Sequence, residues 1–239
     1  MDDFSVYGQT FPKALDNLEN VLKRCQEANF TLSHEKCRMM FTKGVVLGHI
    51  FSQARIEVDP AKISVISNLS PPKNQKEIRS FLGHARYYRR FIKNFTKLAT
   101  PLFKLLVKDV NFIWEDSCQK AFEDLKLKLS ETPILRGPNW TFPFHISTDA
   151  FDSTLGVVLG QKEEQLHYAI YFISKNLTPA ELSYTVIEKE FLAVIFAINK
   201  FRHYIIGYEV FVHTDHSTIR YLMNKPITNG RVTRWLLLL

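Results

Sequence analysis

Three acids in the last third of the sequence stand where a side chain can be held rigidly. Asp149 follows a run of strand formers from Phe142 to Thr148, Glu190 lies inside a helical pattern, and Asp215 closes the short run Val210-Phe211-Val212-His213-Thr214. Carboxylates that converge on one point repel each other unless cations lie between them, and hard oxygen donors suit Mg²⁺ or Mn²⁺. Two such ions about 3.5–4 Å apart can activate a water and stabilise the leaving oxygen in phosphodiester cleavage. Spacing alone leaves a plainer role open, with Asp149 and Asp215 as turn residues and Glu190 as a surface acid. Asp2 and Asp3 form a second acidic pair, directly after Met1. His203, His213 and His216 come without cysteines at ligand spacing and read as ordinary residues.

The elements that must position these acids follow from periodicity. The last third predicts three strands, Phe142 to Thr148, Thr154 to Leu159 and Leu166 to Ser174, in an antiparallel meander. A long helix is expected from Pro179 to Tyr204, with Phe191, Val194, Ile195, Ile198 and Phe201 on one side, and then a fourth strand ending in Asp215. Upstream, Phe4-Ser5-Val6-Tyr7 alternates like one arm of a hairpin, and a helix follows Pro12, closing near Asn29. Val45, Val46, Ile50, Phe51 and Ile56, broken by Gly44 and Gly48, predict two or three short strands. Helical patterns take over from Pro60. One helix is expected from about Lys73 to Phe95, with Ile78, Phe81, Leu82, Ala85, Tyr88 and Ile92 as its apolar stripe, and another from about Asp116 to Leu129. Pro133, Gly137 and Pro138 mark a linker over 133–140.

Composition sets the bounds. A hydrophobic fraction of 46% with 19 Phe argues for packed cores and against disorder. Cys25, Cys37 and Cys118 are too few and too widely spaced for a zinc cluster or a secreted disulfide scaffold. No signal-like leader or membrane-length apolar run is present, so a soluble intracellular protein is expected. The net charge of +7 is uneven: residues 60 to 132 hold 14 Lys and Arg against 7 acids, while the flanking stretches are near neutral. A basic middle segment points to a polyanionic partner, or to a solvated helical surface.

The motifs around the acids resemble a known family. Ser147-Thr148-Asp149-Ala150, Gly156-Val157-Val158-Leu159, the helix block Thr185 to Val194 and Thr214-Asp215-His216 look like the RNase H domain of Ty3/gypsy LTR retrotransposon Pol polyproteins. The resemblance covers the whole chain. Residues 1–59 resemble the C-terminal palm of the same reverse transcriptases, 60–132 their thumb, and 141–239 an RNase H-like mixed sheet flanked by helices, an α+β and α/β assembly. It implies two Mg²⁺ or Mn²⁺ ions held by Asp149, Glu190 and Asp215, and cleavage of RNA within an RNA–DNA hybrid. Between the two helix acids, Glu190-Phe191-Leu192-Ala193 fits the family order, leaving Glu188 facing solvent or supporting the site. Relatives carry a fourth carboxylate on a later helix, past Leu239, so the expectation is a C-terminally truncated RNase H-like domain.

Asp2 and Asp3 match the two metal-binding acids of the family's Tyr-x-Asp-Asp turn, whose tyrosine and upstream aspartate this sequence lacks. An incomplete polymerase site is therefore expected. Leu47-Gly48-His49 falls where the primer grip would be, or is a plain β-turn. Arg79, Gly83 and Tyr87 share one helix face suited to a minor groove, with Arg86 and Arg90 adding charge, and His216 beside Asp215 can touch substrate. The implied partner is an RNA–DNA hybrid or duplex. The alternative is a catalytically inactive nucleic-acid-binding remnant of a retroelement.

Overall fold

The computed structural model describes residues 4–8, 10–33, 35, 37, 39, 41–52, 55–108 and 110–214. It is a mixed α+β structure. Helix α1 (Phe11–Glu27) starts at Thr10, whose hydroxyl accepts from the Lys13 amide. The run Phe4 to Gly8 before it forms no strand, contrary to the alternation. A strand needs a neighbour to satisfy its backbone, and here the Tyr7 carbonyl accepts instead from Asn17 Nδ2 at 2.8 Å.

Three short strands follow, β1 (Lys43–Val46), β2 (His49–Ser52) and β3 (Ile56–Val58), in one antiparallel sheet of order β1-β2-β3. Val46 pairs with His49, so Leu47 and Gly48 alone make the turn, both with positive φ (48° and 70°). Two consecutive positive φ values define the type I′ turn that suits a two-residue hairpin.

Helix α2 (Pro60–Ser67) opens on Asp59, whose carboxylate accepts from the Ala61 amide at 3.0 Å. Helix α3 (Gln75–Tyr87) ends earlier than its apolar stripe predicts. Tyr88 begins a turn, a 3₁₀ segment spans Arg89–Phe91, and α4 (Phe95–Lys104) starts after Asn94 at φ 55°. Tyr88 and Ile92 are still buried, so the stripe marked core residues correctly while overrunning the helix. Helix α5 (Asp116–Ser130) packs Phe122, Leu125 and Leu129 into the same core, with Phe81 and Phe122 rings 4.6 Å apart.

Residues 133–140 return to the first sheet. Leu135 is fully buried and exchanges both backbone hydrogen bonds with Ile56, at 2.8 and 3.1 Å, and the Arg136 amide donates to the Ala169 carbonyl. The core of the middle helices thereby reaches Val58 on one side and Ala169 and Phe172 on the other.

The second sheet contains β4 (Phe144–Ala150), β5 (Thr154–Glu163), β6 (Leu166–Asn176) and β7 (Val210–His213), in the order β6-β5-β4-β7. The first three form the expected meander, and β7 adds to β4 in parallel, making the sheet mixed. The single long helix expected from Pro179 is two: α6 (Pro179–Leu182) and α7 (Val186–Ile205). Thr178 with Glu181 and Thr185 with Glu188 each form a capping box, and the second restarts the helix.

Alternation then assigns the faces. Phe144, Ile146, Val157 and Leu159 pack with Ala197 and Phe201, and Ala150 and Leu155 with Ala193, so even positions of β4 lie under α7. His145, Ser147 and Asp149 point to the opposite face. That face is covered over β5 and β6 by α4, where Ser174 Oγ meets both the Thr96 amide (2.9 Å) and the Thr96 hydroxyl (2.8 Å).

Candidate functional site

Asp149 sits one residue from the end of β4 and is half-buried. Glu190 comes to it from α7: it is 4% exposed, and its Oε1 accepts from the amide of Ala150, the next residue after Asp149, at 3.2 Å. A capping box occupies Glu188, whose Oε2 accepts from the Thr185 amide (3.0 Å) and hydroxyl (3.1 Å). Two residues of helix separate the two roles, since positions i and i+2 point to different faces. Glu190 therefore is the helix acid that reaches the strand end.

The third element of this geometry is β7. It runs parallel to β4 with Ser147 opposite His213, and His213 Nε2 lies 2.8 Å from His145 Nδ1 across the pair. Asp149 follows Ser147 by two positions in the sequence and Asp215 follows His213 by two. Asp215 and His216 lie outside the described residues, as do Asp2 and Asp3. Among the described residues, the Glu190 carboxylate reaches the backbone next to Asp149, and no group of three metal-ligating side chains forms. The buried Glu190 carboxylate, bonded to the backbone one residue from the half-buried Asp149 at the strand end, supplies the hard oxygen donors that suit a Mg²⁺-type ion.

The nucleic-acid candidates gather elsewhere, around the tip of the β1–β2 hairpin and the end of α3. The Tyr87 hydroxyl donates to the Leu47 carbonyl at 2.5 Å, and the Tyr88 hydroxyl to the Gly48 carbonyl at 3.3 Å. The His49 ring is buried between the rings of Tyr87, Tyr88 and Phe91, 5.2–5.7 Å away, with Nδ1 3.0 Å from the Leu47 carbonyl. Burial holds the His49 imidazole below its ordinary pKa, the Leu47 carbonyl opposes that shift, and the Arg90 charge adds to it. A Cβ at Gly48 would lie 2.8 Å from the Tyr88 hydroxyl, so the residue is needed for close approach as well as for its positive φ.

Gly83, Arg86, Tyr87 and Arg90 line one cavity of about 410 Å³, together with Arg89 and Tyr171. The Arg90 guanidinium lies 4.6 Å from the Tyr171 ring centroid, in cation–π range, and its Nε has no hydrogen-bond partner among the described residues. Arg79 is exposed two turns back on α3 and holds Gln75 weakly, at 3.5 Å. Tyr87 is about half exposed, while Tyr88 is buried, so the two adjacent tyrosines face outward and inward as their helix positions require. Tyr171 was not legible in the sequence, because only the packing of β6 against the 3₁₀ segment brings it to the arginines.

Residues 139–239 match the family described as the RNase H-like domain found in reverse transcriptase. Along nearly its whole length the chain is similar to retrovirus-related Pol polyproteins from the Drosophila melanogaster transposons 297 (34% identity, 98% of this chain, 22% of the relative) and 412 (36%, 98% and 19%). It is also similar to the Tf2-3 transposon polyprotein of Schizosaccharomyces pombe (31%, 100% and 18%). The chain thus spans about a fifth of the length of these relatives. Among solved structures, foamy viral protease-reverse transcriptase has the same fold: its complex with RNA/DNA hybrid matches at TM-score 0.77 and 23% identity over 96% of this chain and 32% of that one. Its complex with dsDNA matches at 0.76 and 23% over 98% and 50%.

Proposed function

Because this chain belongs with the retrovirus-related Pol polyproteins of gypsy-type retrotransposons and carries their RNase H-like domain, we propose that it hydrolyses the RNA strand of RNA–DNA hybrids in a divalent-metal-dependent reaction. The observation that carries this reading is the buried Glu190 carboxylate held against the Ala150 amide, one residue from Asp149. Asp149, Glu190 and Asp215 would hold two Mg²⁺ ions, which when bound supply an activated water and charge stabilisation at the leaving oxygen. The chain's own contribution is rigidity. Glu190 is fixed by a packed helix and a backbone hydrogen bond, and Asp149 by its pairing with Gly156 in a strand that β7 flanks on the other side up to Ser147. Preorganised acids lose little when the ions and substrate arrive.

Residues 1–59 act as a C-terminal palm element and 60–132 as a thumb, which hold duplex by phosphate contacts rather than by chemistry. Leu47, Gly48, His49, Arg79, Gly83, Arg86, Tyr87 and Arg90 form that surface, and His216 contacts substrate next to Asp215. Support comes from the arginine-lined cavity and from the adjoining hairpin tip. The foamy viral structures were obtained with dsDNA and with RNA/DNA hybrid, ligands of the class proposed here.

The test is cleavage of a labelled hybrid by the full chain with Mg²⁺, beside Asp149→Asn and Glu190→Gln. The expected result is metal-dependent cleavage that either substitution lowers by two or more orders of magnitude, with hybrid binding retained. Hybrid binding without cleavage by the unaltered chain would overturn the hydrolase reading in favour of a binding module.

A further inference from the structure

The face of the sheet that carries Asp149 is not built by the RNase H-like domain alone. Gly156 is the cross-strand partner of Asp149 in the β4–β5 ladder, so the two share a face, with cross-strand positions typically about 5 Å apart. The space beside Gly156 is filled from the middle helices: a Cβ built there would fall 2.1 Å from Asn94 Oδ1. Asn94 is the N-cap residue of α4, a position where Asn ordinarily closes its own helix, yet its side chain makes no capping hydrogen bond. It adopts a left-handed backbone, φ 55°, and its side chain lies instead against Gly156, the cross-strand partner of Asp149.

Lys97 is three residues further, on the same side of α4. Its ammonium lies 3.4 Å from the ring centroid of Phe151, two residues beyond Asp149, and pairs with no carboxylate among the described residues. The Lys97 side chain is exposed. Docking of α4 does not depend on either group, since Thr96 and Ser174 make the polar contacts and Phe95, Ala99 and Leu102 the apolar ones. A second ammonium, Lys189 of α7, caps the Asp152 carbonyl at 2.8 Å from the other side of the same turn.

We propose that Asn94 and Lys97 belong to the nuclease site as substrate contacts, the amide and the ammonium holding the sugar–phosphate backbone of the strand whose phosphodiester lies at Asp149. An amide can donate to a phosphate oxygen or exchange hydrogen bonds with a ribose hydroxyl, and an unpaired ammonium answers phosphate charge. The consequence is a composite site, in which the segment before α4 supplies one wall and the sheet the acids. This assignment rests on the hydrolase reading above, and its test is arranged so that the two can fail separately.

In the full chain, Lys97→Gln is expected to raise the KM for hybrid cleavage severalfold with kcat little changed, and to lower the slope of log affinity against log salt by about one. Asn94→Ala should raise KM for a hybrid while the melting temperature stays within a few degrees, and Asn94→Gln should restore part of the loss. A photo-crosslinking residue at position 97 is expected to capture the RNA strand, as is one at position 86 on the proposed thumb surface. Unchanged KM and salt slope in Lys97→Gln would overturn the inference while leaving the hydrolase reading standing. If the unaltered chain cleaves nothing, the hydrolase reading fails by itself, and crosslinking decides the contact: capture from position 97 supports it, and no capture from 97, with or without capture from 86, overturns it.

Discussion

The four-stranded sheet is covered on one face by α7 and over part of the other by α4, whereas the three-stranded sheet buries little beyond β3 and the His49 ring, and its hairpin tip is held to α3 by two carbonyls. Val45 and Phe51 are exposed on the small sheet, while Phe144, Ile146 and Leu159 on the large one are fully buried. The difference matches the two tasks proposed above. Under that proposal the acids must stay fixed against their mutual repulsion, which a packed sheet supplies, and a duplex-following surface needs exposed contacts, which the hairpin offers. The seam between the two is the cavity lined by Arg86, Arg89, Arg90 and Tyr171, where the middle helices meet the edge strand β6.

The sharpest way to break this comparison is to remove packing from the large sheet. Phe201, on α7, is 2% exposed and belongs to the buried cluster that contains Phe144, Ile146 and Val157 of the sheet. Phe201→Ala should destabilise the chain by about 3–5 kcal/mol, the usual cost of deleting a buried aromatic ring and leaving a cavity. Chemical denaturation measures it, and a loss under 1 kcal/mol would show that α7 is not the main cover of the sheet.

A smaller effect of opposite sign is expected at the hairpin tip. Leu47 has φ 48°, a left-handed conformation that a leucine adopts at a cost, and its side chain is 64% exposed. Asn-Gly is the preferred pair for such a turn. Leu47→Asn should therefore stabilise the chain by about 0.5–1 kcal/mol, in the range of typical turn optimisation. If Leu47 is retained for duplex contact, the same variant binds hybrid more weakly. Greater stability with unchanged binding would remove Leu47 from the contact surface and leave the strain at the tip without a functional explanation.

What the sequence made legible follows the same division. Asp149 at a strand end, Glu190 on an apolar helix and the three-strand meander were all readable, because buried strands and helices advertise their period and the acids interrupt it. The break between α6 and α7 was also written in the chain, as Thr185-x-x-Glu188 is a capping box, but Pro179, a favoured first helical residue, drew the helix start ahead of it. The end of α3 carried no comparable signal. Tyr88 and Ile92 continue its apolar spacing, and only tertiary packing turns the chain at Tyr88. Asn94 beside Gly156 and Tyr171 beside Arg90 depend on contacts between residues far apart in sequence, which no local pattern encodes. The arm expected at Phe4 to Tyr7 erred the other way, since alternation without a partner strand stabilises nothing.

The smallest effect tests the hairpin latch through pH. Neutral His49 donates from Nδ1 to the Leu47 carbonyl, and its Nε2 is buried with no hydrogen-bond partner among the described residues. Protonation would place a second N–H there, unpartnered and near the Arg90 charge, which is why burial holds the folded pKa below the ordinary 6.5. In the unfolded chain the imidazole is solvated and takes its proton near that ordinary value. Above 6.5 both states are neutral and the latch is at full strength. As pH falls below 6.5 the unfolded state binds the proton first, so stability declines until the folded pKa is passed and the loss is complete. His145 is shifted in the same direction, by burial first and then by the neighbouring His213, His167 and Lys162 charges, so the His49 contribution must be taken as a difference. Urea midpoints of the unaltered chain and of His49→Gln, measured from pH 7.5 down to 5, should converge as the pH falls. Parallel curves would mean that His49 does not titrate differently on folding, and that the tyrosine hydroxyls alone hold the hairpin to α3.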